Sequence, residues 1–411
     1  MEKVTLKEIK EAKALLKEQI IRTPLTYATM LSEMVQCDVY LKLENLQLTG
    51  AYKVRGALNK LSSLTEEEKS RGIICSSAGN HAQGVALAAK KLGIKATIVM
   101  PETTPLSKVI GTKRFGAEIV LHGKFYDEAY KKALKIQEEN NLTFIPPFND
   151  NHIIAGQGTV GLEIYEDAKK LDIVVVPIGG GGLISGVSIA LKSLNPNIKI
   201  IGVEAENMPA MKHSIEKGKI VTIKKNKTIA DGIAVTQVKD ITFNYVKEYV
   251  DEIVTVTEAE MAHSIMQLLE IEKVLVEASG AASFAAIYYD KIKDLKGKKV
   301  GAVISGGNID LNFLDRIIER GLVEDGRICN FVVMVPDAPG MISKVSTIIG
   351  KHRANILDVF HDRYDAFSSL EQTKVRFTIE TKGHDHVETI LKEIESCGFI
   401  IKRKEDQNEH I

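Results

Sequence analysis

Apolar and polar positions along this chain follow two periods that trade places repeatedly. Thr5 and Glu8 form a capping-box signature ahead of LKEIKEAKALLKEQI, whose apolar residues recur every three or four positions and predict a helix. Continuous apolar runs predict buried strands at 37–44, 72–77, 96–100, 117–121, 172–178, 199–206, 252–256 and 299–305. Segments of helical period lie between them, including 53–64 and 80–93. Such alternation predicts parallel sheets covered on both faces, with too many strands for one small sheet. The expectation for residues 1–322 is an α/β fold of two open domains around a cleft, the smaller spanning about 54–150. After a charged linker at 323–327 the order becomes strand, helix, strand, strand, helix, strand over 328–404, the ferredoxin-like order. Residues 405–411 are expected to fray.

Composition narrows the function class. A chain of 411 residues buries large cores without disulfides or a structural metal. Lys+Arg and Asp+Glu both number 54 and Trp is absent, which argues against a nucleic acid or an anionic membrane as partner. Cys37, Cys75, Cys329 and Cys397 are scattered without metal-ligand spacing. Residues 173–191 are uncharged over the length of a membrane span, but PIGGGG at their centre predicts a strand, a turn and a helix instead. With a charged N-terminus, these features predict a soluble cytoplasmic protein.

Three strands end in small, polar runs: Ser76-Ser77-Ala78-Gly79-Asn80-His81, Gly179-Gly180-Gly181-Gly182, and Ser305-Gly306-Gly307-Asn308. Ligands of open α/β sheets bind outside such carboxyl ends. Four glycines ahead of a helix leave N–H groups at the positive end of its dipole, a seat for phosphate. A flexible turn for close packing is the plain alternative. Leu183-Ile184-Ser185 lacks the Lys-Ser/Thr of a Walker loop, and the glycine register of a dinucleotide fingerprint fails. Glu204, about twenty residues on, leaves a nicotinamide oxidoreductase with partial support. Lysines are ordinarily solvated. Lys53, however, is flanked by Gly50, Ala51, Gly56 and Ala57, which leave its amine accessible. At a helix start inside a cleft that amine is neutral and able to form a Schiff base.

Together, LENLQLTGAYKVRGA, SSAGNHAQGVA, AGQGTVGLEI, VVPIGGGGLISG, ADGIAV and VISGGNID resemble the fold-type II pyridoxal-phosphate enzymes, specifically the threonine dehydratases (threonine ammonia-lyases), over nearly all of residues 1–320. DAPGMISKVS and ANILDV resemble the amino-acid-binding part of an ACT domain. The resemblance implies that Lys53 carries pyridoxal 5'-phosphate and that Gly179, Gly180, Gly181, Gly182 and Leu183 hold its phosphate. It places Asn80 at the ring hydroxyl and Ser305 at the pyridine nitrogen. It implies a substrate, L-threonine or L-serine, held by Ser77, Ala78, Gly79, Asn80 and His81, with Phe148 and Gln157 lining the pocket. It implies an effector, isoleucine or valine, at Asp337, Pro339, Gly340, Asn355 and Ile356 between subunits of a homo-oligomer. Serine racemases, close relatives, carry Ser where this chain has Ala78, so racemisation is disfavoured. Met208 and Ala210 replace the racemases' acidic ligands, so no divalent metal is expected, although Glu204 with backbone carbonyls leaves room for a monovalent cation. A serine dehydratase or serine racemase of the same fold, and a non-enzymatic amino-acid sensor, remain the competing readings.

Overall fold

A computed structural model describes residues 3–362 and 371–403. The tail expected at 405–411, and residue 404 of the C-terminal module, lie outside the described residues. The described strands are β1 (Leu25–Tyr27), β2 (Asp38–Leu43), β3 (Ile73–Ser76), β4 (Ala96–Met100), β5 (Glu118–Leu121), β6 (Thr143–Phe144), β7 (Ile173–Pro177), β8 (Lys199–Ala205), β9 (Glu252–Val256), β10 (Lys299–Ile304), β11 (Ile328–Pro336), β12 (Asn355–Asp362), β13 (Gln372–Glu380) and β14 (Ile400–Arg403). The chain divides into two compact units, Met1–Asp310 and Leu311–Ile411.

The first unit holds two sheets. The larger runs β1-β2-β10-β7-β8-β9, parallel except for β1; the smaller runs β5-β4-β3-β6, all parallel. Their apolar strands are buried as the pattern required, with β3 and β7 buried along their whole length. β1 and β6 escaped the sequence reading because two or three residues show no period. The run at 173–191 is β7, a turn, and the start of helix Gly182–Leu194. Among the described residues no helix is long and apolar enough to cross a membrane.

A buried ionic cluster ties helix Lys53–Ser62 to its neighbours. Arg55 donates to both oxygens of Glu44, from Nε and Nη2 at 2.8 Å, and to Glu163 at 2.7 and 2.9 Å. Lys42 donates to Glu163 and to Thr23 O, each at 2.6 Å. All four side chains lie at or below 5% exposure. Burial alone would raise the Glu163 carboxyl, but Arg55 and Lys42 hold it below its ordinary value.

The second unit contains the strand–helix–strand–strand–helix–strand order read from the sequence, as an antiparallel sheet β12-β13-β11-β14. Its boundary differs from the expectation at 322. Helix Leu311–Glu324 belongs to this unit, and the linker shortens to the residues between Glu324 and Ile328. The reason is amphipathicity: Leu314, Ile317 and Gly321 form one buried stripe, and Arg320 pairs with Glu324 one turn on.

Candidate active site

The segment entering helix Lys53–Ser62 is laced to the end of β10. Tyr52 N–H donates to Ser305 O at 3.2 Å, Gly307 N–H donates to Gly50 O at 2.8 Å, and Ala51 bridges Gly306. From the small sheet, β3 leads into helix Asn80–Leu92, which packs on the first turn of the lysine helix. A Cβ on Gly84 would lie 3.0 Å from Val54 N and 3.3 Å from Lys53 Cβ, so glycine sets this close approach. The carboxyl ends of β2, β3 and β10 therefore meet at Lys53. Its half-buried amine donates to Pro147 O at 3.0 Å. Burial holds its pKa down at about 8, and the Glu277 carboxylate opposes part of that fall.

Around this amine the polar groups are chained. Asn80 donates to Glu277 Oε1 at 2.7 Å, and Asn308 donates both to Asn80 Oδ1 and to Thr49 O at 2.7 Å. Burial pushes Glu277 up to about 7. Buried His81 contacts Ile145 O through Nε2 at 3.1 Å. Burial, together with the charge of Lys53, lowers its pKa to about 3, so its ring is neutral near pH 7. Sequence reading did not single out Glu277. It caps helix Ala278–Tyr288, where its N–H donates to Gly306 O at 3.1 Å. A carboxylate directly ahead of the small-residue run ASGAAS was the available signal.

The glycine loop follows β7. Gly181, at φ +88°, precedes the helix, and Ser185 N–H is the donor that closes its first turn on Gly181 O at 3.0 Å. The N–H groups of Gly182, Leu183 and Ile184 thus point ahead of the helix with no carbonyl of their own turn to meet. Phe148 packs on this loop so closely that a Cβ on Gly180 would fall 2.1 Å from its ring. Gln157 packs on Gly56, and its buried Oε1, like Ser185 Oγ, has no hydrogen-bond partner among the described residues. Ser305, 3% exposed, reaches Ser279 O only at 3.4 Å. An anion seat, a desolvated amine and a neutral hydroxyl fit a phosphorylated, carbonyl-bearing aromatic cofactor.

Two N–H groups of the run 77–81 have partners within the protein. Ser77 N–H is spent on Val99 O at 3.2 Å, and Gly79 N–H lies 3.2 Å from Ser77 Oγ. The strand continues one residue further through its hydrogen bonding, which leaves Ala78, Asn80 and His81. Glu204 stands apart from this group. Its two oxygens accept N–H groups of Met211 and Lys212 at 2.8 and 2.7 Å, and burial raises its pKa to about 8. Among the described residues no group of three His, Cys, Asp or Glu is placed to hold a metal ion.

The effector residues divide within one chain. Asp337, Pro339 and Gly340 follow β11, whereas Asn355 and Ile356 begin β12. Through β13, Asn355 stands level with Ile328 at the opposite end of β11 from Pro336. Eight strand residues separate the two groups by about 26 Å.

Residues 16–306 match the model of the family described as pyridoxal-phosphate dependent enzyme. An L-threonine ammonia-lyase of Thermotoga maritima is 50% identical over 399 residues, covering 97% of this chain and 99% of the relative. Among solved structures, maize serine racemase has a TM-score of 0.74 at 36% identity, covering 79% of this chain and 99% of that one. The processed form of threonine deaminase isoform 2 from Solanum lycopersicum has a TM-score of 0.73 at 39% identity, covering 76% and 92%. With a family match across most of the chain and a full-length relative at half identity, this chain belongs to the pyridoxal-phosphate-dependent enzymes.

Proposed function

We propose that the enzyme deaminates L-threonine by β-elimination, yielding 2-oxobutanoate and ammonia, with L-serine as a second substrate. The observation that carries this reading is the Lys53 amine, withdrawn from water where the strand ends meet. The name of the Thermotoga relative supports the substrate. When bound, pyridoxal phosphate supplies the electron sink that makes a Cα proton removable. Lys53 would hold it through its amine, the N–H groups of Gly179–Leu183 would take its phosphate, and Asn80 would meet its ring hydroxyl.

Ser305 would offer the pyridine nitrogen a neutral hydroxyl. Unlike a carboxylate it would not compel protonation there, and the weaker electron withdrawal would favour loss of a β-substituent over transamination. N–H groups of Ala78, Asn80 and His81, at a helix N-terminus, hold the substrate carboxylate. The Lys53 amine takes the Cα proton. Phe148 and Gln157 wall the pocket. Ala78 offers no proton to the opposite face, which favours elimination over the racemisation performed by the maize neighbour. Assay of 2-oxoacid is expected to give 2-oxobutanoate from L-threonine and pyruvate from L-serine, threonine being the faster. D-serine as the main product, or no 2-oxoacid, contradicts the reading.

The second unit is read as an ACT module that senses isoleucine or valine. Because the two groups of effector residues lie at opposite ends of β11, one pocket built from both requires two copies of the chain. That supports a homo-oligomer with effector sites between subunits, biasing a two-state arrangement. A chain ending at Asp310 is expected to keep threonine turnover and to lose any response to isoleucine or valine. An undiminished response in that shortened chain contradicts this role.

A further inference from the structure

The chain Thr49–Asn308–Asn80–Glu277 has a direction that its ends impose. Thr49 O is a backbone carbonyl and only accepts, so the Asn308 amide must turn its nitrogen there. That nitrogen also donates to Asn80 Oδ1, so Asn80 must place its own nitrogen on the far side, where Glu277 Oε1 accepts at 2.7 Å. Asn80 then spends its oxygen and one N–H inside the protein and retains one N–H. A Cβ on Gly50 would come within 2.5 Å of Asn308 Oδ1, and Glu277 N–H is fixed on Gly306 O, so both outer members are seated by backbone.

We propose that Asn308 and Glu277 are positioning residues that jointly lock the Asn80 amide as a hydrogen-bond donor, so that the atom it meets on the ligand is an acceptor oxygen. This rests on the reading of Asn80 as the contact to the ring hydroxyl of pyridoxal phosphate; the lock selects that group in its deprotonated, anionic form. Either partner alone still orients the amide, because each permits the same one of its two flips. Removing both frees it. The titratable and charged groups facing Glu277 are Tyr52, Lys53, Lys108 and Asp231, so affinity is compared at about pH 8.5, above the pKa of about 8 for Lys53.

The test titrates cofactor-free wild type, Asn308→Ala, Glu277→Leu, the double variant and Glu277→Gln with pyridoxal phosphate. It reads the dissociation constant and the pH midpoint of the visible band. Each single change is expected to weaken binding about threefold or less, and the double about thirtyfold or more, exceeding the product of the singles. The midpoint moves in the double, and Glu277→Gln, whose oxygen accepts the same N–H, stays within about twofold of wild type. Losses that simply multiply, or a Glu277→Gln variant as poor as Glu277→Leu, overturn the lock while leaving the cofactor reading intact. Wild type that develops no visible band removes that reading and the lock with it. Should the double variant not fold, Asn308→Asp replaces it: a reversed polarity at Asn80 Oδ1 must cost more than Asn308→Ala, and an equal or smaller loss overturns the lock.

Discussion

Replacing Lys53 by alanine is expected to abolish threonine turnover, by at least about a thousandfold, and with it the covalently held cofactor. The magnitude follows from two duties resting on one nitrogen. On the proposed reading it anchors the cofactor and also serves as the base at the place where β2, β3 and β10 end. His81, which feels the charge of Lys53, is no substitute base: it is held neutral by burial and occupied by Ile145 O. Asn80 and Ser305 carry no basic group. The same nitrogen sets a pH dependence. Its pKa is lowered from 10.5 to about 8, so the neutral, nucleophilic form is the minority below that value and the majority above it. Capture of pyridoxal phosphate by the cofactor-free protein is therefore expected to rise with pH around a midpoint near 8, where a solvated lysine would still be protonated. A midpoint near 10.5 would show that the amine is not desolvated.

The second large effect concerns folding. Arg55→Ala is expected to destabilise the first unit by about 3–5 kcal/mol, because it leaves Glu44 and Glu163 buried with their main partner gone. Arg55→Lys keeps the charge but loses the planar fork that spans both carboxylates, and a smaller loss follows. The measurement is the fall in the urea midpoint of the catalytic unit. The sign with pH is fixed by Glu163, whose folded pKa lies below its unfolded value of 4.5. Its contribution is present above about pH 4.5 and is lost as pH falls through the folded value. Arg55→Ala should flatten that acid dependence. Arg55 lies two residues from Lys53 on one helix, so the cluster seats the helix that carries the chemistry. An Arg55→Ala variant as stable as wild type would show that the ions are spectators.

The parts of this arrangement readable in sequence are those carried by local pattern. The buried strands announced themselves as apolar runs, the Thr5 capping box formed as read, and each glycine-rich strand end marked a place where backbone had to be bare. Residues whose significance depends on distant partners were less legible. Arg55 looks like any helix arginine until Glu44 and Glu163 close around it. Glu277 and Asn308 gain meaning only when β10 and helix Asn80–Leu92 bring them to Asn80. Helix Leu311–Glu324 falls in the second compact unit, whereas the sequence reading ran the first domain to 322: its stripe shows that it packs, and not against what.

Covalent attachment at Lys53 is the claim on which the rest depends. Borohydride reduction of the holoprotein, followed by proteolysis and mass mapping, tests it directly. The account predicts one phosphopyridoxyl label per chain, on the peptide containing Lys53. A label on another lysine, or visible absorbance that leaves no label after reduction, contradicts it.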